Sequence, residues 1–68
     1  MTQAEEQQIQ HKIHELQLEH HDLNYVIEML TKLSSFDELV MRRLKKRKLA
    51  IKDRIEKLED ELIPDILA

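Results

Sequence analysis

Apolar side chains recur along this chain in two heptad stripes, and these stripes constrain the fold more than any other feature. The first stripe alternates steps of 4 and 3 residues, and its members are Ile9, Ile13, Leu16, His20, Leu23, Ile27 and Leu30. The second has the same rhythm, and its members are Met41, Leu44, Lys48, Ile51, Ile55, Leu58 and Leu62. Such spacing places one narrow side of a helix against a partner helix. The sequence therefore predicts an all-α, coiled-coil-like pair of helices.

Two capping boxes mark where these helices begin. Thr2 and Glu5 form the first, in which each side chain accepts a hydrogen bond from the backbone of the other residue. Ser35 and Glu38 have the same spacing and form the second. The chain contains no Gly, so the first helix does not end in the usual glycine cap.

Pro64 ends the second helix and biases Ile63 away from helical backbone angles. We predict a single domain over 1–68, with a helix over 3–33, a turn at 34–35, a helix over 36–62 and a tail over 63–68. A turn this short favours an antiparallel return, so the fold is an antiparallel two-helix hairpin.

An antiparallel hairpin with this turn pairs stripe residues whose numbers sum to 71, from Leu30 with Met41 near the turn to Ile9 with Leu62 at the far end. The positions flanking the stripes then pair at a sum of 73. The flanking pairs are Lys12 with Glu61, Glu19 with Arg54, Val26 with Arg47 and Leu33 with Val40. Two of these pairs are opposite charges, which favours this alignment over a slipped one.

Two stripe positions are polar. Lys48 faces Leu23, and its ammonium group is expected to turn outward towards Asn24. His20 faces Ile51. The favoured interpretation is that both set the register at some cost in stability. The alternative is that His20 is a pH-sensitive element.

Composition bounds the function. Charged residues make up 37% of the chain and aromatics 3%, with no Cys and no Trp, which is typical of long helices. Without a phosphate-binding glycine loop, a Cys nucleophile or a deep cavity, we expect no enzyme and no cofactor. The polar, acidic start and the absence of an apolar run of ~20 residues predict a cytoplasmic protein without a membrane partner.

Two segments resemble the YdcH-like family of small bacterial proteins of unknown function. The segment from His20 to Ile27 is similar to the family pattern H-x-x-L-D-x-x-I, and that from Leu44 to Ile55 to L-K-K-x-K-L-x-L-K-D-x-I. Asn24 stands where the family usually has Asp, so an ion pair from that position to Lys45 or Lys48 becomes an amide hydrogen bond. The resemblance implies a bacterial cytosolic helical hairpin and supplies no activity. A less complete resemblance is to helical hairpins of the SlyX type.

A basic segment is one candidate binding site. Residues 36–54 carry 8 basic against 3 acidic side chains, although the whole chain has a net charge of -3. The candidate phosphate contacts are Arg42, Arg43, Lys45, Lys46, Arg47 and Lys52. They surround the helix and lack interleaved aromatic side chains for base stacking. Binding of nucleic acid, RNA in particular, is therefore the alternative hypothesis for function.

Four histidines lie on the first helix, and His11 and His14 share a face. His14 and His21 are seven residues apart, about 10 Å along the axis, which is too far for two ligands of one ion. We therefore predict no metal site.

Apolar side chains outside the stripes gather near the turn and form the favoured site. They are Val26, Met29, Leu33, Phe36, Leu39 and Val40. Exposed apolar patches usually mark contacts between molecules. We predict an interaction or structural module that self-associates as a dimer or four-helix arrangement and binds an unidentified protein partner. The sequence identifies neither the partner nor the pathway.

Overall fold

The computed structural model describes residues 1–63 as two α-helices. Helix α1 spans Gln3–Thr31 and helix α2 spans Glu38–Leu62. They pack side by side and antiparallel in a body of 51 × 22 × 15 Å. The prediction of an all-α helical hairpin is confirmed. Pro64 and most of the predicted tail lie outside the described residues.

Thr2 caps the first helix as predicted, although only its own half of the capping box is present. Thr2 has an extended backbone, and its Oγ1 accepts a hydrogen bond from the backbone N–H of Glu5 at 3.2 Å. Glu5 and Glu6 then place negative charge in the first turn, where the helix dipole favours it.

The second cap is not where the sequence pattern put it. Asp37, rather than Ser35, caps α2, because its Oδ1 accepts from the N–H groups of Leu39 at 2.9 Å and Val40 at 3.2 Å. A carboxylate cap carries a full charge beside the positive end of the dipole, so it outcompetes a hydroxyl two residues earlier. Helix α2 consequently begins at Glu38, two residues later than predicted.

Helix α1 also ends two residues earlier than predicted, at Thr31. Lys32 N–H donates to Met29 O at 3.3 Å and Leu33 N–H to Leu30 O at 3.1 Å, which are the shorter-range bonds of a tightening last turn. No residue in the described part has a positive φ, as expected for a chain without Gly. At the other end of the hairpin, Ile63 is extended at φ -77 and ψ 126, which confirms the expected effect of Pro64.

The core lies entirely in the two predicted stripes. The seven buried side chains within 1–63 are Ile13, Leu16, Ile27, Met41, Ile51, Ile55 and Leu58. The other seven stripe positions, His20 and Lys48 included, are half-buried. One continuous cluster joins Ile13 and Leu16 to Ile51, Ile55 and Leu58, at the end of the hairpin away from the turn. The predicted antiparallel pairing of the stripes accounts for this cluster.

Both predicted flanking ion pairs differ from the prediction among residues 1–63. Glu19 binds Arg47, whose Nε and Nη2 lie 3.2 and 3.0 Å from Glu19 Oε1, and not Arg54. Arg47 and Arg54 occupy the same flank one heptad apart, so Glu19 lies between them and the charge pattern alone does not separate the two. Lys12 likewise contacts Glu15 of its own helix at 3.8 Å, and not the predicted Glu61.

Candidate protein-interaction surface

The six predicted contact residues near the turn are all exposed in the structure. Their exposed fractions range from 40% for Phe36 to 54% for Leu33. Leu18, Tyr25 and Leu49 are further exposed apolar side chains, but they are scattered along the outer sides of the helices. The apolar surface is therefore densest around the turn.

Cross-helix contacts define the two broad faces of the hairpin. The Glu19–Arg47 ion pair lies on one, which we call the Glu19–Arg47 face. Lys48 Nζ donates to Asn24 Oδ1 at 2.6 Å on the other, which we call the Asn24–Lys48 face. By heptad position, Val26 and Val40 fall in the row of Glu19 and Arg47, and Met29 lies beside that row. Leu33 lies between the two helices and has no heptad position.

The structure separates Phe36 from this group. Its side chain lines an open groove of about 330 Å³ together with Thr31, Met41, Arg42 and Lys45. Thr31 and Lys45 occupy the row that flanks the stripes on the Asn24–Lys48 face. Leu39 occupies an outward heptad position of α2 and is 53% exposed. The predicted patch therefore has an apolar part on the Glu19–Arg47 face and a smaller part, around Phe36, on the opposite side.

The six predicted phosphate contacts are exposed but do not share one face. Arg43 and Arg47 belong to the Glu19–Arg47 face, whereas Arg42, Lys45 and Lys52 belong to the opposite one. Lys46 lies on the outer side of α2. Arg47 is bound to Glu19, and Glu38 shares the groove with Arg42 and Lys45. The basic segment is thus divided and partly neutralised.

The Asn24–Lys48 face holds the two polar stripe residues. Lys48 turns outward to Asn24 as predicted, and Asn24 Nδ2 donates in turn to Glu28 Oε1 at 3.1 Å. A second groove, of about 360 Å³, is lined by His20, Lys48, Leu49, Lys52 and Ile55. His20 Nε2 is shielded from solvent and has no hydrogen-bond partner among residues 1–63.

The remaining histidines lie in solvent-facing positions. His11 Nε2 is 2.9 Å from Glu15 Oε1, one helical turn away. Across residues 1–63 the structure brings no three His, Asp or Glu side chains together in a way that suits a metal ion. Neither helix of that range is long and apolar enough to span a bilayer.

The Glu19–Arg47 face also carries a charge pattern that no linear sequence motif indicates. Away from the turn, α1 presents Glu15, Glu19 and Asp22 on this face, and α2 presents Arg54 and Lys57 beyond Arg47. Each helix alone reads as a mixture of charges. By heptad position, however, the α1 edge of this face is acidic and the α2 edge is basic away from the turn.

A family model covers most of the hairpin. The family is described as a protein of unknown function, DUF465, and its model matches residues 13–59. The chain belongs to this family. Because the family contains the YdcH-like small proteins, the resemblance seen in the sequence is confirmed. The match covers the cluster around Ile51, the turn and the basic segment. No curated protein and no solved structure matches the chain.

Proposed function

We propose that this DUF465 protein is a non-catalytic interaction module, which binds a second helical surface through its turn end. The second surface belongs either to another copy or to a protein partner. The observation that carries the proposal is the distribution of apolar side chains. Among residues 1–63 the seven buried ones all lie in the two stripes, which together form the seam of the hairpin, while the six around the turn stay at least 40% exposed.

Energetic considerations support this proposal. A two-helix hairpin buries a single seam, and a small core of this kind gives a domain little stability of its own. Retaining six large apolar side chains in water at one end adds solubility risk without adding to that core. Their burial against another helix would remove this exposed surface at ~25 cal/mol per Å². The expected location is the cytoplasm.

Substitutions at the patch test the proposal. Met29→Glu and Val40→Glu change exposed residues, at 48% and 41% exposure, so the hairpin should stay folded by circular dichroism. Leu49→Glu, at 67% exposure and on the other side of α2, is the matched control. Sedimentation from micromolar to millimolar concentration measures self-association, and affinity capture from a bacterial lysate detects a protein partner.

We expect the patch variants to lose self-association or the captured protein, and the control to keep both. A monomer at every concentration that also captures no protein would overturn the proposal. Including nuclease in the capture separates the nucleic-acid alternative. Recovery of RNA that depends on Lys45, Lys46 and Arg47 and falls steeply with salt would favour that alternative instead.

A further inference from the structure

The Glu19–Arg47 face is complementary to a copy of itself. The face is broad, since the hairpin measures 51 by 22 Å in its two longer dimensions. It is apolar at the turn, and beyond that its α1 edge is acidic and its α2 edge basic. A partner that fits this surface must be apolar at the same end and must carry its acidic and basic edges in exchanged positions.

We infer that the occupant of this face is a second copy of the chain, related by a two-fold axis along the hairpin, with both turns at the same end. This inference rests on the proposed function and specifies its geometry. A rotation of 180° about that axis places α1 of one copy opposite α2 of the other, at the same height. Two-fold dimers of this self-complementary kind are the commonest oligomers.

The charges agree with this arrangement away from the turn. The edge of α1 that leads away from the turn reads Asp22, Glu19, Glu15 and then Lys12. On the facing edge of α2, Arg54, Lys57 and Glu61 are level with Glu19, Glu15 and Lys12 and have the opposite sign in each case, including the reversal at the last pair. Ala50 is level with Asp22, and Arg47 lies about one helical turn closer to the turn of the hairpin. With the turns at opposite ends, acidic α1 would instead face α1 of the other copy.

The apolar residues define where the contact is closest. Val26 and Val40 lie in the row nearest the axis, so those of the two copies meet around it. Arg43 lies next to Met29 of the other copy, and its aliphatic stem can cover that side chain while the guanidinium stays in water. The charges of the outer row, Glu15, Asp22 and Lys57, remain solvated, so they select the alignment more than they add affinity.

Charge reversal in trans tests the inference. One chain carries Glu15→Lys, and a second carries Lys57→Glu, so the two reversed residues are partners of each other. These changes spare the Glu19–Arg47 pair within each chain. We expect each variant alone to dimerise about fivefold more weakly, because the two symmetry-related Glu15–Lys57 pairs become like charges. An equimolar mixture should form the heterodimer with affinity near that of the unchanged chain.

The matched control is Glu56→Lys, which makes the same charge change as Glu15→Lys but away from this face and should leave dimerisation unchanged. Dimers that Met29→Glu abolishes, but whose reversed variants do not recover on mixing, would overturn this geometry and leave the proposed function intact. A monomer at all concentrations overturns the geometry, and the capture experiment then decides the proposed function.

Spin labels provide an independent readout, because the chain has no Cys and accepts a single one. Ser34→Cys labels the turn, and Gln7→Cys labels the far end. Turns at the same end predict label separations below about 40 Å at both sites, less than the length of one helix. A longer separation at Ser34→Cys would indicate full antiparallel overlap. A longer separation at Gln7→Cys would indicate contact through the turns alone. Either result rejects the inference.

Discussion

Lys48 Nζ lies 2.6 Å from Asn24 Oδ1, so a lysine placed in the hydrophobic seam directs its charge to the amide of the opposite helix. The same amide donates to Glu28 Oε1 at 3.1 Å. Asn24 thereby connects an ammonium and a carboxylate that do not touch. An acceptor at this position allows Lys48 to occupy a seam position at all, since a half-buried charge without a partner is costly.

Removing the amide should weaken the hairpin. We expect Asn24→Ala to lower the free energy of unfolding by about 1–2 kcal/mol, because the lost bond involves a charged donor. Urea denaturation measures the change, and Gln17→Ala, in the same row of α1 and exposed, is the control. In the background of Lys48→Met the same substitution should have little effect. An equal loss in both backgrounds would show that Asn24 acts independently of Lys48.

Replacing His20 should have the opposite effect. Its Nε2 is shielded without a partner, so we expect His20→Leu to raise the free energy of unfolding by about 1 kcal/mol. His21→Leu changes the neighbouring, exposed histidine and should stay within about 0.5 kcal/mol. A destabilised His20→Leu hairpin would mean that the imidazole contributes to the fold. The pH-sensitive role of His20 stays a hypothesis.

Two leucines on α1 provide a matched test of the seam. Leu16 is 6% exposed and belongs to the core cluster, whereas Leu18 is 53% exposed. We expect Leu16→Ala to cost about 2–5 kcal/mol through lost burial and the cavity left behind. Leu18→Ala should change the unfolding midpoint little. Similar losses at both positions would contradict the placement of the seam.

Substitution of the N-cap residue tests where α2 begins. Asp37→Ala removes an acceptor of two backbone N–H groups and should cost about 1 kcal/mol. Ser35→Ala should leave the thermal unfolding midpoint unchanged, although the sequence pattern favours Ser35. A loss of stability in Ser35→Ala but not in Asp37→Ala would show that Ser35, and not Asp37, caps α2.

The heptad periodicity predicted correctly which residues are buried, because helix phase alone decides which side of each helix faces the other in a two-helix hairpin. Each of the 14 stripe positions is buried or half-buried, and the outward turn of Lys48 also followed from that phase. The helix ends at the turn were less predictable. They depend on competition between neighbouring groups, in which the carboxylate of Asp37 displaced the hydroxyl of Ser35.

The sequence predicted which residues form the candidate surface, but not which face of the hairpin each of them lies on. All six apolar residues are exposed as expected, yet Phe36 lies towards the face opposite to Val26. A residue between two helices has no helical phase, so its direction is not encoded in the heptads. The choice of Arg47 by Glu19 was equally undetermined, since two arginines of one row were available.

The continuous core cluster lies at the end away from the turn, and Ile27 and Met41, although buried, are not part of it. His20 and Lys48 occupy the layers in between. The turn end therefore opens more readily in local fluctuations than the far end does. Contact with another molecule at the turn would stabilise the end that has least core of its own. Amide exchange around Ile27 and Met41 should then slow with rising protein concentration, while exchange around Ile13 and Leu58 stays constant.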